Sequence, residues 1–324
     1  MNGDAATAGR RRTLISGLLW TAPWWLGFLL FLAIPMGMSL YISFCDYPLL
    51  QPPVYIGGAN YGTLVHDPVF HKVLLNTIVY ALLAIPLGTI VAVLLAVLLN
   101  QSVRGQGFFR TSIFVPTVVP LVGAALVWLW MLNPEYGLIN QALRLFAPVF
   151  DGTNWLLALV IGHRLEFLTD LAAGPKWLLT PHWAMTSLVL VSIWSVGSPV
   201  VIYLAGLQEI PEQLYEAAML DGANSVRRFW HVTLPGLSPV ILFNVIVGVI
   251  GTWQIFALPY VLMRGEQGPE RSTYFYTMYL YDNAFRYLKM GYASAMAWIK
   301  LLIILVLTGA IFLVSRKIVH YRGT

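Results

Sequence analysis

The chain has 324 residues, of which 58% are hydrophobic and only 10% charged, and its mean hydropathy is +0.73. Soluble domains carry about a quarter charged residues, so most soluble classes are excluded. The formal charge of +5 comes without a basic tract interleaved with aromatics, so no nucleic-acid partner is expected, and the single cysteine, Cys45, excludes an intrachain disulfide and Cys-based metal sites.

The N-terminal tail, 1–18, carries Arg10, Arg11 and Arg12 ahead of an apolar run from Leu18 to Phe44. That run is too long for a signal peptide's apolar region of about 7–15 residues, and no small-x-small cleavage site follows it. It reads as a retained span. Crossing the hydrocarbon core takes about 20 apolar residues, and six segments qualify: about 19–44, 73–100, 111–132, 183–207, 237–262 and 293–315. Pro35, Pro86, Pro116, Pro120 and Pro199 lie within these spans and suggest kinks, tolerable where neighbouring helices re-satisfy the freed carbonyls.

Lys and Arg set the expected orientation. Segments 1–18, 101–110, 208–236 and 316–324 carry ten in 66 residues, against eight in 108 for 45–72, 133–182 and 263–292. The denser side should be cytoplasmic. The expectation is therefore an all-α polytopic membrane protein: a six-span body over 19–315, cytoplasmic tails 1–18 and 316–324, and both termini inside.

Two external stretches have structure of their own. Residues 155–170, "WLLALVIGHRLEFLTD", are apolar and then charged, and too short to span, which suggests an interfacial or docking helix. Residues 273–288, "TYFYTMYLYDNAFRYL", read as an aromatic belt at the membrane–water boundary, with a docking face as the alternative.

The largest cytoplasmic loop, 208–236, reads as two short helices. Pro211 suits a first helical turn and Glu212 and Glu216 suit the positive end of the dipole. Leu214, Ala217, Ala218 and Leu220 give a partial apolar stripe, Gly222 a stop, and Asn224 or Ser225 a cap for the second helix. Val226, Phe229, Trp230 and Val232 would form that helix's apolar face, ended by Pro235 and Gly236 before the fifth span. Such a platform suits docking into a groove on another protein; a solvated connecting loop is the plainer alternative.

The run Glu216-Ala217-Ala218, Asp221-Gly222-Ala223, Phe229 and Leu234-Pro235 resembles the signature "EAA" loop of importer-type ABC transporter permeases. With six spans, "GLIN" at 137–140 and "GYASAMAW" at 291–298, the likeness covers most of the chain and points to the carbohydrate-uptake branch that includes maltose and glycerol-phosphate permeases. The long external segment 151–182 departs from that pattern. The resemblance implies that Glu216, Ala217, Ala218, Asp221, Gly222, Ala223, Phe229, Leu234 and Pro235 form a coupling element seated in a cleft of a cytoplasmic ATPase dimer. It also implies a second homologous permease, an external solute-binding protein and a bacterial or archaeal inner-membrane location. No G-x-x-x-x-G-K-[ST] run exists, so ATP and Mg should be used by the partner ATPase, and no cofactor, metal or catalytic residue is expected in this chain.

Polar groups inside spans are costly and usually face the bundle interior. Val191, Trp194, Ser195 and Ser198 share one face of the fourth span; Asn244, Gly248 and Thr252 share one face of the fifth, with Gln254 alongside. Trp194, Ser195, Ser198, Asn244, Thr252 and Gln254 are the expected substrate pathway, with ordinary helix packing as the alternative. Lys300 is placed to snorkel or to pair, and the six histidines show no metal-binding spacing. A secondary transporter is the rival reading, but the spans lack the acidic or histidine relay it would need.

Overall fold

The computed structural model describes residues 3–101, 104–161, 163 and 165–319. In chain order the helices are α1 (Gly3–Phe28), α2 (Ile34–Ser43), α3 (Ala59–His66), α4 (Pro68–Leu99), α5 (Gln106–Val118), α6 (Leu121–Met131), α7 (Leu138–Leu145), α8 (Ala147–Ile161), α9 (Glu166–Ala173), α10 (Pro181–Trp194), α11 (Gly197–Gln208), α12 (Glu212–Leu220), α13 (Ser225–Arg228), α14 (Leu234–Trp253), α15 (Ala257–Leu262), α16 (Tyr276–Tyr281) and α17 (Met290–Ile318). Two short strands, β1 (Cys45–Asp46) and β2 (Val54–Tyr55), pair antiparallel. By length and composition four helical stretches can cross a membrane: Ser16–Ser43, Pro68–Leu99, Ser225–Trp253 and Met290–Arg316. Two bent pairs, α5 with α6 at 100° and α10 with α11 at 48°, raise the number to six if each is one span.

Proline explains most of the breaks. Val119 is pushed to an extended conformation (φ −67°, ψ 128°) by the ring of Pro120, which starts α6 after the sharp bend. Pro199 has no N–H to give the Ser195 carbonyl, and the chain breaks between Trp194 and Gly197. At Pro35 and Pro235 a different device appears. Each follows a five-residue π turn, Leu29–Ala33 or Phe229–Thr233, and the residue just before the proline donates its N–H five residues back, Ile34 to Leu29 and Leu234 to Phe229. The widened turn relieves the clash a proline ring makes with the carbonyl four residues earlier, so the helix continues. Pro86 interrupts nothing: α4 runs unbroken through it.

Two expectations are therefore corrected. Pro235 and Gly236 do not end the second loop helix, because α13, the π turn and α14 form one continuous rod over Ser225–Trp253. That rod stops at Trp253 rather than at 262, and α15 is a separate helix. Pro259 within α15 lacks the N–H that would bond Ile255 and carry the helix across.

The chain forms two compact units. The first comprises residues through Asp67 with Leu280–Leu301. Here the "GYASAMAW" run is a packing device. A Cβ on Gly291 would strike the Cys45 carbonyl oxygen, the Tyr292 hydroxyl donates to Asp67 Oδ2 at 2.7 Å, and Ala293, Ala295 and Met296 are buried.

The second unit comprises Pro68–Tyr279 and the remainder from Leu302. Its apolar core joins α4, α11 and the start of α14 through Ala92, Ala96, Val200, Tyr203, Leu207 and Leu237. Gly197 lets α11 approach α5 closely, since a Cβ there would lie 2.5 Å from the Ile113 carbonyl oxygen. The stretch at 273–279 is not an interfacial belt. Tyr274, Phe275 and Tyr276 are fully buried against α4: Asn76 Nδ2 donates to the Tyr274 carbonyl at 2.9 Å, Thr77 Oγ1 accepts the Tyr276 N–H at 3.1 Å, and Phe275 meets Tyr80 edge-on. Polar side chains of a long apolar helix thus satisfy backbone that lipid could not.

Candidate functional site: a surface platform and a polar cavity

The platform over 208–236 is built by local chemistry. Pro211 sits just before α12, extended at φ −59° and ψ 132°, rather than inside its first turn. Gly222 adopts φ +77°, with the Ala223 N–H bonded to the Ala218 carbonyl at 2.9 Å and the Gly222 N–H to that of Met219 at 3.0 Å. This is a Schellman C-cap, and it requires a left-handed residue at position 222. Nothing crowds a Cβ there, so the demand for glycine is conformational. Asn224, not Ser225, caps the next helix: its Oδ1 accepts the Arg227 N–H at 2.9 Å.

Packing then divides the platform into a root and a face. Tyr215, Phe229 and Val232 pack against the core shared by α4, α11 and α14. The Tyr215 hydroxyl meets Thr233 Oγ1 at 3.0 Å and clips α12 to the π turn, with Thr233 buried. The outward face carries Glu216, Ala217, Asp221 and Gly222, bordered by Met219 and by Leu220, which is 90% exposed. Ala218 and Ala223 are half-buried behind it. Of the nine residues expected to act together, Phe229 lies in the root, and Leu234 and Pro235 line an apolar groove at the foot of α14 beside Leu307 and Ile311 of α17. Tyr215 and Thr233, which complete the root, left no signal in the sequence beyond their period along the helix.

Above the root lies a cavity of about 190 Å³ between α4, α10, α11 and α14. Ser195, Asn244 and Thr252 line it, as does Gly248, and Tyr80 and Ser192 join them. Trp194, Ser198 and Gln254 do not line it. The break after Trp194 splits the expected face, and Trp194 packs edge-on against Trp128, ring centroids 5.9 Å apart. Gln254 caps the exposed end of α14.

Four polar side chains of this cavity each have a donor committed. Ser192, Ser195 and Thr252 donate to the carbonyls of Val189, Ser192 and Val249, and Asn244 Nδ2 donates to that of Val240 at 3.0 Å. The hydroxyls of Tyr80, Thr89 and Tyr203 line the same space, so it offers donors as well as acceptors. Among the described residues its walls hold no Asp, Glu, Lys, Arg or His. A cavity with hydroxyl and amide groups, apolar surface and no charge suits a neutral polyhydroxylated ligand. Lys300, half-buried on α17, belongs to the other compact unit.

Comparison with known proteins agrees with this architecture. Residues 71–320 match the family described as "Binding-protein-dependent transport system inner membrane component". The probable ABC transporter permease protein YesP of Bacillus subtilis (strain 168) is 35% identical, over 100% of this chain and 99% of that protein. The lactose transport system permease protein LacF of Rhizobium radiobacter is 32% identical, over 88% and 93% respectively. A crystal structure of a bacterial alginate ABC transporter in complex with an alginate pentasaccharide-bound periplasmic protein contains a chain with the same fold, at a TM-score of 0.71, 23% identity and 97% coverage of each chain. With most of its length matched by the family and its whole length by a relative, the chain belongs to the binding-protein-dependent transport system inner membrane components and is a membrane-embedded permease subunit of an ABC transporter.

Proposed function

We propose that this subunit carries a neutral carbohydrate into the cell, handed over by an external solute-binding protein, within a complex containing a second homologous permease and a cytoplasmic ATPase dimer. On this reading each bent pair is one span, giving six, and both termini and the 208–236 platform lie in the cytoplasm, an orientation supported by the Lys and Arg bias. The observation that carries the substrate class is the uncharged cavity lined by the hydroxyl and amide groups of Ser195, Asn244 and Thr252. It favours sugars and sugar chains over polyol phosphates, whose charge would need a cation that these walls do not supply. At about 190 Å³ it is smaller than ordinary ligand pockets of about 300–1,000 Å³, so it serves as one wall of a pathway shared with the second permease. The lactose relative supports the same class.

Glu216, Ala217, Asp221 and Gly222 are the face offered to the ATPase, and Phe229 with Tyr215 couples that face to α11 and α14. ATP and Mg act in the partner, since this chain has no phosphate-binding glycine loop and no catalytic role of its own. The test is uptake by the reconstituted complex. With ATP held constant, proton and sodium uncouplers should leave uptake of a neutral oligosaccharide intact, and removing the ATPase should abolish it. Loss of uptake on adding uncouplers would replace this reading with secondary transport.

A further inference from the structure

The segment between Met131 and Pro181 folds into a latched helical hairpin with one bare apolar side. Asn140 on α7 is fully buried. It donates to the carbonyls of Pro134 and Pro175, at 3.0 and 3.1 Å, and accepts the Trp177 Nε1–H at 2.7 Å. Gly137 is part of the same knot, because a Cβ there would strike the Met131 and Asn133 carbonyls. Asn154, buried on the inner side of α8, bonds both the N–H and the carbonyl of Leu165 and receives support from Thr169, which ties α8 to α9. From α9, Asp170 Oδ2 accepts the Trp183 Nε1–H at 2.7 Å and Phe167 stacks on the Trp183 ring at 5.2 Å. Trp183 is the third residue of α10, so the hairpin is fastened in the first turn of the bent pair α10–α11, which is long and apolar enough to be one membrane span. With that pair as a span, the hairpin sits at the membrane boundary.

On the side of α8 away from Asn154, Val149, Trp155, Leu156 and Leu159 are 61, 55, 58 and 67% exposed. With Gly152 between them they recur at helical spacing and form one continuous strip, edged by Asp151 and Thr153. Fifteen residues make a rod of about 22 Å, too short to cross a hydrocarbon core of about 30 Å but suited to lying along its surface. A helix held at that level, packed on its Asn154 side and leaving an exposed apolar strip with a tryptophan, is suited to rest at the lipid interface. We infer that α8 lies on the outer leaflet with this strip among the lipid headgroups and upper acyl chains, and that it anchors the external segment to the bilayer surface. The occupant is lipid rather than protein, because α9, which Asn154 ties to α8, is latched through Trp183 to the start of the candidate span α10–α11, and this brings the strip to the level of the bilayer surface. The inference rests on the proposed outward placing of residues 133–182.

The test uses the complete transporter in lipid nanodiscs, with a nitroxide on Cys introduced by Leu156→Cys, Leu159→Cys or Thr153→Cys. The native Cys45 is fully buried and is replaced by Ser in an uptake-competent background. At 156 and 159, collisions with oxygen should exceed those with a water-soluble nickel chelate severalfold, and at 153 the ratio should reverse. Nickel access at 156 and 159 equal to that at 153 would overturn the proposal. So would shielding from both reagents, which would mean a protein cover, whether permanent or present only after the external binding protein is added. Labelling of Thr153→Cys by a membrane-impermeant maleimide from outside checks the orientation separately. Inaccessibility there would sink the outward placing, and collision data can still report whether the strip meets lipid.

Discussion

The two segments that leave the apolar body, 208–236 and 138–173, are fastened by opposite chemistry. The first is rooted by apolar side chains: Tyr215, Phe229 and Val232 press into the core of α4, α11 and α14, with one clip from Tyr215 to Thr233. The second is latched by polar groups, Asn140, Asn154 and Asp170, each satisfying specific donors or carbonyls on a neighbouring element. An apolar root passes displacement on, because close-packed interiors resist compression and transmit strain. Hydrogen-bonded latches instead fix orientation, since their strength depends steeply on geometry. The platform is built as a transmission element and the hairpin as a fixture.

Four substitutions probe that contrast, in falling order of expected effect. Asn140→Ala strips partners from the Trp177 N–H and two carbonyls, and each buried bond left unmade costs about 1–3 kcal/mol. Limited proteolysis of membrane vesicles should show at least a tenfold rise in cleavage within 133–182, while ATPase co-purification stays normal. Gly222→Val forces a branched residue into a left-handed position, at about 1–2 kcal/mol. Retention of the ATPase on the purified permease should fall about tenfold, with the external segment as protease-resistant as before.

Asn224→Ala removes a helix cap worth about 1 kcal/mol and should weaken ATPase retention severalfold in the same assay. Tyr215→Phe deletes one part-buried hydrogen bond worth about 0.5–1.5 kcal/mol without disturbing the packing of the ring. It should leave the ATPase bound yet lower the sugar transported per ATP hydrolysed, measured as paired uptake and phosphate release. If Tyr215→Phe weakened retention instead, the division into root and face would be wrong.

The sequence made the platform legible because its ends are set by local rules. A left-handed Gly222 and a cap at Asn224 or Ser225 are readable from residue type alone. The side on which Phe229 is covered was not, since helical period defines a face without saying what lies against it. The same limit applies at 273–279, where an aromatic run serves a lipid interface or a buried core equally well. The deciding partners, Asn76 and Thr77, lie almost 200 residues away. The fifth span was drawn too long because its apolar run continues past Trp253 into α15, and apolarity carries no mark of a chain reversal. In the cavity, Asn244 and Thr252 keep the spacing read from sequence, whereas on the other face, broken after Trp194, only Ser195 lines the space.

Cross-linking from single introduced cysteines to the ATPase tests the central claim most directly, and the chain suits it because its only native cysteine, Cys45, is fully buried. Ala217→Cys and Leu220→Cys on the outward face should each join to the ATPase through a short bis-maleimide, and Phe229→Cys in the root should not. Efficient cross-linking from position 229 with none from 217 or 220 would contradict the account.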